Sequence, residues 1–328
     1  MDEVGGEPLA LLWSFSFTQG AAQRLNEPVL AGESGGEAWT WAHFRLGDVR
    51  ARGLLAHAPE LPAKVRELFA GTEDRIRIEQ ADDWVLGVLP DLPRELGVRS
   101  QVEGRLVFAF DPTRLITGRM HPLWAIDDLR RKVEAGERFD LPAKALVEVV
   151  EIHVEHMESI LDELSARLAA VEDYVLREPQ DPSDTGLSAL RRELSHHHRE
   201  LQSLRGALTR AHAGRQGRRA ELLAQWLAEV IPWIEDVDRE AAGLQDRARL
   251  LHEEIDTLIN GATNRSMRAL TVMSTLLIPP TLIVGAFGMN VNGIPWAHSG
   301  VGFAWASGLC VVVVAAAVWM LRRMNLLP

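Results

Sequence analysis

Up to about residue 120, apolar positions come in short bursts that alternate with polar ones or run together between turn-forming residues. This pattern predicts strands at Leu9–Phe17, Ala38–Phe44, Arg75–Gln80, Trp84–Leu89 and Arg105–Phe110, the last continuing through Arg114–Thr117. Helical spacing appears near Val49–His57 and Pro62–Ala70. After about residue 140 the period changes. Val147, Val150, Val154, Met157, Leu161, Leu164, Leu168, Val171 and Val175 recur at alternating steps of three and four, the seam of a long helix. The run REPQDPSDTG (177–186) interrupts it, and Leu187, Leu190, Leu194, His197, Leu201, Leu204 and Leu208 make a second seam. AGRQGR (213–218) reads as the next turn. A third seam then runs through Leu227, Val230, Ile234, Val237, Ala241, Leu244, Ala248, Leu251, Ile255, Leu258 and Ala262 with no obvious stop.

That third helix runs into a stretch with no charge at all, ALTVMSTLLIPPTLIVGAFGM (269–289). A second uncharged stretch, GFAWASGLCVVVVAAAVWML, covers 302–321. At ~1.5 Å per residue, each is about as long as a hydrocarbon core is thick. Two such runs in tandem predict two transmembrane helices. Arg265 and Arg268 precede the first, Arg322 and Arg323 follow the second, and the loop between them carries no Lys, Arg, Asp or Glu. Basic flanks stay inside, so both termini are expected in the cytoplasm of a bacterial-type inner membrane. The expected division is an α+β cytoplasmic region over 1–140 and a long-helix stalk over 141–265. A first span over 266–290, an external loop over 291–301, a second span over 302–322 and a cytoplasmic tail over 323–328 follow.

Charge sharpens this division. The net charge of −11 arises almost wholly before residue 269. An acidic chain lacks the clustered Lys and Arg that nucleic acid requires. Cys310 is the only cysteine, so a zinc ribbon within one chain is excluded. The N-terminus has no basic leader and is not read as a cleaved signal peptide. Nor is there a Gly-rich phosphate loop, a nucleophile elbow or a Cys–His pair, so no enzyme and no bound cofactor are expected.

The first span carries a second stripe. Asn264, Met267, Thr271, Ser274, Ile278, Thr281, Gly285 and Gly288 step by three and four, one face away from the apolar seam. Traced back, the stripe meets Asn260, Thr257, Glu253, Leu250 and Asp246. Acids, an amide, then hydroxyls among apolar side chains suit a cation path, in which Asp246 and Glu253 gather ions and neutral oxygens pass them on. Small and hydroxyl residues also let membrane helices pack, and acids also face plain solvent. The stripe alone leaves both readings open.

The stripe ends in Gly288-Met289-Asn290, within PPTLIVGAFGMNVNGIP (279–295). A Gly-Met-Asn triplet at the outer end of the first of two C-terminal spans, below an α/β region and a long helix, resembles the CorA superfamily of divalent metal-ion transporters. The resemblance implies a funnel-shaped homopentamer with the first spans around one pore. It implies a selectivity filter at Gly288, Met289 and Asn290. It also implies pore-lining positions at Asn264, Met267, Thr271, Ser274, Ile278, Thr281 and Gly285, with Met267 as a constriction. Magnesium members commonly carry a carboxylate after the triplet. Here VNGIPWAHSG has none, which resembles the zinc-transporting ZntB branch and favours Zn²⁺ over Mg²⁺ as cargo. Coupling to protons stays open. A magnesium channel of the same fold and a membrane-anchored coiled-coil sensor are the competing readings.

Histidines offer further metal chemistry. His153 and His156 share a helix face and could bind zinc beside Glu155. His196, His197 and His198 are consecutive, so they are expected to point three ways and not to chelate one ion together, with His197 packed on the seam. His298 sits in the outer loop. Packing or plain surface is the alternative for each.

Overall fold

The structure is a computed structural model. It describes residues 10–31, 38–71, 75–94, 104–177, 186–213, 218–289 and 301–324, with side chains described from residue 227 onward in the helix that begins at 218. Seven strands come first: β1 Leu11–Thr18, β2 Ala21–Leu25, β3 Ala38–Arg45, β4 Arg77–Ala81, β5 Trp84–Pro90, β6 Arg105–Phe110 and β7 Arg114–Arg119. Two short helices, α1 Val49–His57 and α2 Ala63–Ala70, lie between β3 and β4, and α3 Trp124–Glu134 follows β7. Four long helices complete the chain: α4 Pro142–Arg177, α5 Leu187–Ala213, α6 Arg218–Gly288 and α7 Gly302–Arg323.

The strands form one sheet in the order β2-β1-β3-β7-β6-β5-β4. Only the β3–β7 pair is parallel among these neighbours. Alternation sorts the side chains onto two faces. Ala42 and Phe44 of β3 join Leu55 of α1 and Val65 and Phe69 of α2 in one core. Trp39, Trp41 and His43 point the other way and meet β1: Phe17 stacks on Trp39 at 3.8 Å, and Trp13 stacks on His43 at 4.1 Å. Apolar groups cover both faces, so β5 is buried at every residue and reads as a continuous apolar run. Gly87 in β5 is required by close approach, because a Cβ there would stand 2.0 Å from the Arg77 carbonyl oxygen.

β2 and α3 are additions to the elements expected from sequence. β1 turns into β2 through Gln19 and Gly20, whose φ values of 49° and 78° make the two-residue reversal that matches strand twist. Helix α3 starts at Leu123, which has no capping side chain. Asp91, from the far side of the sheet sequence, accepts the Ala125 and Ile126 N–H groups at 2.8 and 3.0 Å instead. The expected strand from Arg105 onward is two strands. Asp111 makes the turn between them, accepting the Thr113 N–H at 2.8 Å and pairing with Arg114 at 2.6 Å.

The helical seams are buried. On α4, Val154, Met157, Leu161 and Leu168 have no exposed surface, and on α5 neither do Leu194, Leu201 and Leu208. The α6 seam is buried from Leu227 to Ile255, then Leu258 is half-buried and Ala262 exposed. The chain divides into two compact units, one formed by residues 1–170 and 186–249, the other by 171–185 and 250–328.

Candidate functional site

Helix α6 has 71 residues and continues without a break through Pro279 and Pro280. Two candidate membrane spans occur among the described residues, one within Leu227–Gly288 and the other Gly302–Arg323. The prolines lack N–H groups, so the carbonyls of Thr275 and Leu276 lose their ladder donors.

Over the uncharged part of α6 the exposure has a clear side. Val272, Leu276, Pro279, Ile283 and Phe287 are half-buried and step by four or three. On α7, Gly302, Ala306, Cys310, Val313, Ala317 and Leu321 form a similar shielded line. This is the pattern that two helices shielding each other along one side produce. The stripe of Asn264, Met267, Thr271, Ile278, Thr281, Gly285 and Gly288 lies about half a turn away at 3.6 residues per turn, and all of these are exposed. Ser274 of the same stripe is half-buried. Met267 is 63% exposed and Ile278 64%, large apolar side chains left uncovered by the other described residues. A Cβ on Gly285 or Gly288 would meet nothing within 4 Å. Among the described residues, the outward face of α6 over 264–288 is left without a covering element.

The hydroxyls on this helix have defined roles. Thr271 donates to the Met267 carbonyl at 2.9 Å, and Thr281 to the Leu277 carbonyl at 2.7 Å. Each has spent its proton on the helix, so its oxygen is left as an acceptor. That is the group a hydrated cation needs, because its waters point their hydrogens outward. Met289 closes the helix with its N–H toward the Ala286 carbonyl at 3.4 Å. Asn290 and His298 lie outside the described residues.

Farther back on α6, Asp246 and Glu253 are exposed on the face that continues the stripe. Arg249 lies between them on that face, and its Nε is 3.7 Å from the Asp246 carboxylate. Sequence reasoning followed the acids and passed over this arginine. The three-residue step from Asp246 was the available signal.

The histidines have separate surroundings. His153 on α4 is buried, and neither ring nitrogen has a hydrogen-bond partner. Burial, with the charges of His156, His197 and Arg105 nearby, lowers its pKa to about 3. His156 instead turns to Asp128 at 3.3 Å and the edge of Trp124, while Glu155 is exposed. On α5 the three consecutive histidines do not all diverge. Ligand atoms of His196, His197 and Glu200 lie within 4.8 Å of one another, the one such metal-type grouping among the described residues. Two adjacent rings can lean toward Glu200 one turn on. His198 turns to Asp238 at 3.1 Å.

Comparison with known proteins adds to this geometry. The family described as "CorA-like Mg2+ transporter protein" matches residues 36–323. A zinc transport protein ZntB from Yersinia enterocolitica is 24% identical over 299 residues, which is 86% of each chain. The full-length CmaX protein superposes with a TM-score of 0.83 at 22% identity, covering 98% of this chain and 99% of that one. The CorA magnesium transporter from Methanocaldococcus jannaschii superposes with a TM-score of 0.72 at 17% identity, covering 94% of this chain and 97% of that one. At these identities the two structures share the fold.

Proposed function

Because the chain belongs to the CorA-like Mg2+ transporter family, and is thus a membrane transporter of divalent cations and not an enzyme, we propose that it carries Zn²⁺ along the outward stripe of α6. The observation that carries this reading is the exposed polar face of α6, opposite the side shielded within the chain. Asn264, Thr271 and Thr281 share one exposed line, where their oxygens have no use against lipid, while Met267 and Ile278 interrupt that line with apolar side chains. Copies of α6 around an axis give all of them one place to face. We take the number of copies to be five, as the family resemblance implies.

In this reading a hydrated cation meets Gly288, Met289 and Asn290 at the outer mouth. The Asn290 side-chain carbonyls accept from the ion's waters, and Gly288 leaves the backbone room to come close. Thr271, Ser274 and Thr281 offer further acceptor oxygens, and Met267 narrows the inner end. Neutral oxygens hold such an ion through its waters and do not trap it. Zinc is favoured over magnesium by the loop after Asn290, which has no carboxylate, and by the zinc-transport name of the relatives. The placement is an inner membrane with both termini cytoplasmic, following Arg265, Arg268, Arg322 and Arg323. Arg323 lies over the Trp319 ring at 5.6 Å, a pairing suited to a membrane surface.

The test is ion flux into liposomes holding the purified protein, with zinc and magnesium offered separately, with and without a pH gradient. Zinc should enter faster than magnesium. Asn290→Ala should lower zinc flux at least tenfold while the protein elutes at the wild-type size. Magnesium entering faster would remove the zinc assignment. Unchanged flux in Asn290→Ala would remove the filter.

A further inference from the structure

Outside the proposed pathway, a cavity of about 560 Å³ opens beside α5, where that helix passes β4 at the edge of the sheet. Its walls carry Arg75, Arg105, Arg199 and Arg210. Among the described residues a single carboxylate, Glu200, lines it, and Arg105 holds that carboxylate at 3.1 Å. Acids outnumber Lys and Arg in this chain by 46 to 35, so the local charge runs against the whole. Helix α5 builds most of the wall. Arg199, Ser203, Gly206 and Arg210 step by four, three and four and so share one face. Arg199 gives its Nε to the Ser195 carbonyl at 3.1 Å, which fixes the stem. Gly206 is the telling residue. Glycine weakens a helix interior, and a Cβ here would stand 3.2 Å from a terminal nitrogen of Arg210. A methyl group there would push the Arg210 guanidinium, as it lies back across the helix, by a few tenths of an ångström.

We propose that this cavity binds a small phosphate-bearing anion, a chain of two or more phosphates, free or carried on a nucleoside. Guanidinium groups are planar forks that match phosphate oxygens two at a time, and several around one cavity suit a polyanion. The volume lies within the usual range for small-molecule sites. The grouping of His196, His197 and Glu200 on the same helix invites a metal ion instead. Charge decides against it. Among the described residues, a divalent cation entering this cavity would meet the guanidinium groups of Arg75, Arg199 and Arg210, with Arg105 and Glu200 already paired. The site goes beyond cation transport and does not depend on it.

The experiment is calorimetric titration of the full-length protein in lipid nanodiscs, with no divalent cation added. Pyrophosphate and ADP, which carry the same number of phosphates, serve as probes, and zinc chloride is titrated separately. Wild type should bind at least one of the two anions. Tighter binding of ADP assigns the nucleoside, and binding of pyrophosphate as tight or tighter assigns the phosphate chain alone. The double variant Arg199→Gln/Arg210→Gln should bind about tenfold more weakly, the loss expected for removing charge-assisted hydrogen bonds at exposed positions. Gly206→Ala should raise the melting temperature yet weaken anion binding, a combination that a purely structural glycine would not give. Absence of binding by either anion overturns the proposal. So does affinity unchanged in both variants, or zinc binding that strengthens in the double variant while neither anion binds.

Discussion

His43 shows how one residue can set the response of this fold to acid. It is fully buried between Trp13, on which it stacks, and Thr117. Trp41 donates its indole N–H to the Thr117 hydroxyl at 2.8 Å, and the same hydroxyl is hydrogen-bonded to the His43 Nδ1 at 2.7 Å. Burial first, then the charges of Arg119 and Arg130, holds its pKa well below the usual 6.5. The ring stays neutral in the folded chain while an unfolded chain takes up a proton below about pH 6.5. More protons bind the unfolded state there, so stability falls with acid by up to about 1.4 kcal/mol per pH unit. Asp91 acts oppositely. Burial raises its pKa to about 7, so its contribution declines as pH rises from 3.8 toward that value. The comparison that isolates His43 is thermal unfolding of wild type and His43→Phe in detergent at several pH values. The variant should lose less stability than wild type between pH 6.5 and 5.0, and identical slopes would dismiss the assignment. None of this was legible in the sequence, because His43 occupies an ordinary alternating strand and its partners come from β1 and β7. The pairing of His196 and His197 with Glu200 was hidden similarly, since three consecutive rings give no sign of which two lean together.

At the scale of elements, long helices were the most legible. The seams on α4, α5 and α6 were readable because period-3.5 spacing survives over many turns, and the buried positions follow it as far as Ile255. β2 escaped because AAQRL is polar and its pairing depends on a Gln-Gly turn with weak sequence signal. α3 escaped because its starting cap comes from Asp91, thirty-odd residues earlier in the chain. The polar face of α6 was legible as a stripe, but its charge was not, since Arg249 breaks the row of acids. This has a measurable consequence. In an assembly of several copies, Arg249 would repeat around the axis and offset Asp246 and Glu253. Zinc flux in Arg249→Gln should exceed wild type by about two- to threefold at low ionic strength. The gain should vanish at high salt, where the Debye length falls from ~10 Å at 0.1 M to ~3 Å at 1 M. A variant indistinguishable from wild type at every ionic strength would make this face plain solvated surface.

For the whole molecule, an acidic α+β part followed by two uncharged runs was evident from where charges stop, and the fold shared with the full-length similar structures agrees with that order. Assembly is the step a single chain leaves open. The face of α6 that the other described residues leave uncovered predicts copies, and native mass spectrometry from mild detergent should show a pentamer, with monomers or dimers alone counting against it. In the proposed function the stripe of α6, and not its shielded side, lines the path of the ion. Cys310 is the only cysteine, so Cys310→Ala gives a clean background. In that background, Thr271→Cys places a thiol on the stripe and Val272→Cys places one on the shielded side. Both proteins are reconstituted, their zinc flux is measured, and a charged, water-soluble thiol reagent is added. The account predicts that the reagent blocks flux through Thr271→Cys, that zinc slows the labelling, and that Val272→Cys is spared. Flux through Thr271→Cys that the reagent leaves untouched, or equal block at both positions, would contradict it.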